Sequence, residues 1–178
     1  MAPRRGGPVI TLVVLAFEGA VVRRSTDAAA PPVLVRGVAA TVAELRRRGV
    51  RVVLVCEGPH RTAVDALAGL GWSVSGELRT PHAVDAVVAV DDVASAPPAP
   101  FAVHHAMELV GTLDVRQVLV AGDSVAMLEA GRAAGAGWVV GVLSGAARRP
   151  ELASVMHDAI LTDVNDLVAL PVPAAPVR

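Results

Sequence analysis

The 178-residue sequence contains no lysine and no tyrosine, one cysteine, two phenylalanines and two tryptophans. Each scarcity excludes something. Without lysine, no side-chain amine can form a Schiff base with a carbonyl substrate. Cys56 stands alone, which rules out an intramolecular disulfide and argues against a zinc cluster. Aromatics are 2% and hydrophobic residues 53%, so the core must be built from Val, Ala and Leu. The net charge is −1, arginine supplies all 16 basic side chains, and there is no long basic run. That balance gives no electrostatic case for nucleic-acid binding. No stretch approaches the roughly 20 apolar residues of a membrane span. The opening "MAPRRGGPVITLVVLAF" has a signal peptide's two arginines and apolar run. Its run is Val-rich, however, and meets Glu18 at once without a convincing cleavage site. It is expected to be a buried first strand, and the protein is expected to be cytoplasmic.

What the chain does have is alternation. "VITLVVLA", "VRVVLVC", "DAVVAV", "VRQVLVAG", "GWVVGVL" and "AILTD" read as strands. Between them, "GVAATVAELRRRG", "RTAVDALAGLG", "PFAVHHAMELVG" and "SVAMLEAGRAAG" have helical period, with Gly49, Gly71 and Gly135 as stop signals. Repeated β-α alternation predicts an α/β fold: one doubly wound parallel sheet, Rossmann-like, in a single domain over residues 9–170. Residues 1–8 and 171–178 are expected to be flexible ends. Ligands on such sheets bind at the carboxyl ends of the strands. The loops after Leu15, Val55, Val90 and Ala121 are therefore the places to look for chemistry.

Those loops, taken in order, resemble the haloacid dehalogenase (HAD) superfamily, in its phosphonatase-like branch. "VLVAGDSVAMLEAGRAAGAGWVVGVLSGA" is similar to the fourth motif and the strand after it. "EGPHRTAVDALAGLGW" and "SAPPAPFAVHHAMELVG" resemble the segments around the second and third. The resemblance covers nearly the whole chain and implies a HAD core. A cap between the first and second motifs is not implied, because the segment from Val22 to Gly37 is too short to hold one.

The catalytic positions of the family are another matter. Its first motif, Asp-x-Asp-Gly-Thr or Asp-x-Ala-Gly-Thr, reads "AFEGA" here, with Ala16 at the nucleophile, Glu18 at the third position and Ala20 at the threonine. A methyl group cannot replace a carboxylate nucleophile. The hydroxyl position of the second motif holds Glu57, or Cys56 if the register slips by one. Pro97 stands where the third motif has a cation, and proline has neither charge nor donor. In the fourth motif Asp123 occupies the magnesium-binding aspartate, while the second acid is Met127. One carboxylate rarely holds Mg²⁺, which wants octahedral oxygen ligation. Asp123 therefore reads either as a weak metal ligand or as the N-cap of the following helix. No cofactor is expected, Mg²⁺ included.

These departures lead to the expectation of a capless, catalytically degenerate protein. It would act by binding a protein partner, a second copy of itself or a small ligand at the open carboxyl edge of the sheet. The alternative is a repurposed enzyme acting on a non-phosphorylated substrate. Its acid/base groups would be Glu18, Glu57 and Asp123, joined by His60, since crowded carboxylates raise one another's pKa. A conventional HAD hydrolase is the third reading.

Overall fold

The structure is a computed structural model that describes residues 9–23 and 30–170. The expected flexible ends, and the middle of the segment "RRSTDAAAPP", lie outside the described residues.

Six parallel strands form the sheet: β1 (Leu12–Ala16), β2 (Arg51–Val55), β5 (Ala86–Val88), β6 (Val118–Gly122), β7 (Trp138–Val142) and β8 (Ala159–Leu161), in the order β5-β2-β1-β6-β7-β8. β1 is central because it can be buried everywhere: all five of its residues are buried, and it pairs with β2 and β6 on its two sides. Its period of two then sorts the core. Val13 and Leu15 point to one layer, Leu12, Val14 and Ala16 to the other. The first layer holds α1 (Val38–Arg47) and α2 (His60–Gly69), which bury Val38, Val42, Leu45, Ala63 and Leu67. The second holds α3 (Phe101–Val110), α4 (Val125–Ala134) and the single-turn α5 (Arg149–Leu152). The doubly wound single domain expected from the alternation is the fold observed. Trp72 is buried and Trp138 packs against the first layer, so neither is a ligand platform.

Three elements differ from the sequence reading. Residues 115–117 form a 3-10 turn rather than the start of β6, because the Asp114 carboxylate accepts the Arg116 N–H at 3.0 Å and closes the turn. α5 and the two-stranded parallel sheet of β3 (Ser73–Val74) and β4 (Ala83–Val84) were not anticipated. Both are too short to carry a period.

The chain leaving β1 comes straight back. Val22 bridges Leu34, the Arg23 N–H donates to the Val33 carbonyl, and the Val35 N–H donates to the Val21 carbonyl. Among the described residues, no cap domain stands on this segment.

A buried ion cluster ties the outer part of the first layer together. Arg46, 2% exposed, donates to the carbonyls of Thr80, Ala83, Ser75 and Glu77 and to the Asp85 carboxylate. Asp85 also accepts the Val52 N–H and the Arg51 guanidinium, each at 2.8 Å. Every buried side-chain polar atom among the described residues has a partner, as a folded interior requires.

Candidate functional site

The loops singled out by the sequence do converge. Ala16 and Glu18 after β1, Cys56 and Glu57 after β2, Val90 after β5, Pro97 before α3, and Ser124 and Met127 after β6 line one cavity of about 220 Å³. Parallel strands put their carboxyl ends on one edge, so four separate loops meet there. Val55, Ala96 and Ala126 complete its walls. These apolar walls were missed in the sequence, where they carry no signal beyond hydrophobicity.

Two carboxylates face this apolar cavity. Glu18 is half-buried, and its Oε2 accepts the Glu57 N–H at 3.1 Å, which ties the first loop to the second. Glu57 is exposed at the rim. Cys56 is buried, and its thiol is pushed far above its ordinary pKa, chiefly by desolvation and then by the negative charge of Glu18. It stays protonated and is no nucleophile.

Asp123 and His60 do not join the group. Asp123 is fully buried beneath the cavity: its carboxylate lies against Gly19 and Gly145, and Oδ2 accepts the Ala146 N–H at 2.9 Å. A Cβ at either glycine would collide with that carboxylate, so both positions need the bare backbone. The expected N-capping by Asp123 is also corrected. Ser124 is the N-cap of α4, and its hydroxyl accepts the Met127 N–H at 3.2 Å. A serine directly before a helical period was signal enough to find it. His60 begins α2, and its ring Nδ1 lies 2.6 Å from the Asp92 carboxylate, outside the cavity.

The HAD resemblance implies Mg²⁺, and the donor set can be tested against it. Mg²⁺ asks for hard oxygen donors in near-octahedral order. Ala16 offers a methyl, Met127 a thioether, and the Asp123 Oδ2 is turned to a backbone N–H. Among the described residues, no three His, Cys, Asp or Glu side chains are grouped so as to hold a metal ion. These residues do not fit Mg²⁺. Nor is any described helix long and apolar enough to cross a membrane.

Comparison with known proteins adds what geometry alone cannot. The family model described as haloacid dehalogenase-like hydrolase matches residues 10–135. A plasmid-encoded phosphoglycolate phosphatase of Cupriavidus necator is 35% identical over 138 residues, which are 78% of this chain and 55% of that protein. The chain thus spans about half the length of this curated relative. A haloacid dehalogenase-like hydrolase structure from Bacteroides fragilis covers 89% of this chain and 99% of its own, at 16% identity and a TM-score of 0.75. The D,D-heptose 1.7-bisphosphate phosphatase of B. bronchiseptica, solved with magnesium and phosphate, covers 90% and 97%, at 20% identity and a TM-score of 0.70. These names overturn the expectation of a degenerate binding protein, and with it the alternative of a non-phosphorylated substrate. The 35%-identical relative is named a phosphatase, and the family model is one of hydrolases. The overturned expectation had equated the loss of the usual nucleophile at Ala16 with the loss of hydrolysis.

Proposed function

The chain belongs to the haloacid dehalogenase-like hydrolase family, and on that premise we propose that it hydrolyses a small phosphate monoester. The observation that carries this reading is the 35% identity to a protein named phosphoglycolate phosphatase. Within the family we place it with the phosphatases rather than the phosphonatases: the lysine that a Schiff base with the substrate aldehyde requires is absent from the chain.

Ala16 constrains the route. With no carboxylate at that point, a phosphoryl group cannot be carried on the enzyme, and the attacking oxygen is water's. In this reading Glu18, which lines the cavity, takes its proton. The water oxygen bonds to phosphorus, its proton passes to Glu18, the ester P–O bond breaks, and the released alkoxide takes a proton from solvent at the exposed rim. The apolar walls from Val55, Val90, Ala96, Pro97 and Met127 exclude other water from the reacting ester. Ala20, Pro97 and Met127, where the resemblance led one to expect polar groups, serve here as fold and wall. A cavity of about 220 Å³ suits a small ester.

The purified chain, assayed with p-nitrophenyl phosphate and with phosphoglycolate, turns over at least one of them. Glu18→Gln lowers kcat by roughly 100-fold or more, the scale of a lost general base. No turnover of either compound, or full turnover in Glu18→Gln, overturns the reading.

A further inference from the structure

The same edge of the sheet carries a second cavity, of about 490 Å³, beyond the first. Arg23, Val35 and Arg36 line it from the segment between β1 and α1, Leu143, Ser144 and Gly145 from the loop after β7, and Thr162 and Asp163 from the loop after β8. Both arginines are exposed. Among the described residues, no carboxylate pairs with either guanidinium. Their backbones are nevertheless fixed. The Arg23 N–H donates to the Val33 carbonyl at 2.8 Å, and the Arg36 carbonyl accepts the Asn165 side-chain amide at 2.8 Å. Asn165 is itself held by the Thr41 hydroxyl, which donates to its Oδ1 at 2.6 Å. The Ser144 hydroxyl donates to the Gly19 carbonyl at 2.7 Å, so the wall of this cavity is tied to the loop that also carries Glu18.

We propose that this cavity is an oxyanion subsite that takes a phosphate group, with Arg23 and Arg36 as its charge partners. Among the described residues, the lining holds two arginines and one carboxylate, Asp163, a positive balance. A guanidinium presents its N–H groups as a planar fork that matches phosphate oxygens in pairs, and two forks can engage a tetrahedral dianion from two sides. The Thr162 hydroxyl adds a donor. Asp163 opposes the anion, and its carboxylate already accepts the Asn165 N–H at 2.7 Å as the cap of the 3-10 turn at Val164–Ala169. This subsite contrasts with the first cavity, whose described lining carries the carboxylates Glu18 and Glu57. The proposal does not rest on the hydrolase reading, because it needs no turnover.

Calorimetric titration at low ionic strength tests it, with inorganic phosphate in one arm and acetate in the other. The wild-type chain binds one phosphate, more tightly than acetate. Arg23→Gln with Arg36→Gln weakens phosphate binding by roughly tenfold or more. Asp163→Asn keeps a capping side chain, removes the opposing charge, and tightens binding. Arg79→Gln, which alters an arginine lining a different groove, leaves affinity unchanged. A melting curve like that of the wild type shows that the double variant is folded, as expected for exposed side chains. The subsite is overturned by any of three results: no saturable phosphate binding to the wild type, unchanged affinity in the folded double variant, or an equal loss in Arg79→Gln. Acetate binding more tightly than phosphate overturns the assignment to a phosphate group. Failure of the hydrolase reading shows separately, as absent turnover with phosphate binding intact.

Discussion

Ala16 ends β1 with 8% of its surface exposed, on the floor of the first cavity. An aspartate there would put a third carboxylate beside Glu18 and Glu57, against the apolar walls of Val55, Ala96 and Met127. Burying an unpaired charge is strongly unfavourable, and neighbouring like charges resist ionisation. Ala16→Asp is therefore expected to lower the melting temperature and to reduce turnover, because its carboxylate takes the place of the attacking water. A Mg²⁺-dependent rise in turnover in this variant would refute the water route. The same residue shows how far a single sequence can be read. The identity of Ala16 excluded a covalent intermediate at once. It said nothing about whether water could be activated by Glu18, because that depends on which loops close around it.

At the level of elements, two contacts hold the helices that frame the site. Arg46 closes the gap between α1 and the 75–83 loop, and in the sequence it sits in "RRR", which looks like a solvated helix end. Only the tertiary fold distinguishes it from Arg47, whose guanidinium reaches Glu44 at the surface. Arg46→Met takes one of two guanidiniums from the buried Asp85 and the shared donor from the carbonyls of Ser75, Glu77, Thr80 and Ala83, and should destabilise the chain by about 3 kcal/mol or more in urea unfolding. Arg47→Met should change stability by less than about 1 kcal/mol. The second contact is Asp92, which accepts both the Ala89 N–H and the His60 ring and so sets the start of α2. Partial burial works to raise its pKa, but hydrogen bonds from His60 and Ala89 overcome this and hold it below the ordinary carboxylate range. The folded-state pKa is thus the lower one. Asp92 contributes stability that is present above its unfolded pKa and lost as pH falls through the folded value. Asp92→Asn should lower stability at neutral pH, by about 1 kcal/mol from the weakened hydrogen bonds. The difference from wild type should vanish in acid, and a constant difference across that range would contradict the assignment. The long periodic strands and helices were legible in the sequence, whereas β3, β4 and α5 were not, because two to four residues cannot display a period.

Across the whole molecule, the parallel order sends every loop after a strand to one edge, and both cavities lie there. That much followed from β-α alternation alone. The departure of Asp123 from the site did not, since it depends on how two glycine loops fold over a carboxylate. The lack of a fitting donor set has a consequence for the intact chain: its melting temperature should be the same in millimolar Mg²⁺ and in EDTA. A site filled at 100-fold above its Kd would add about 2.7 kcal/mol, a rise of several degrees that would disprove the prediction. The Asp123 carboxylate, enclosed by Gly19 and Gly145 and bonded to the Ala146 N–H, makes the loops after β1, β6 and β7 a single unit. In hydrogen–deuterium exchange, the Ala146 amide should therefore be protected like a core strand, although it lies in a loop. Its exchange requires Asp123 to be uncovered, and Asp123→Ala should speed exchange at 146 together with 19–22, as one cooperative opening.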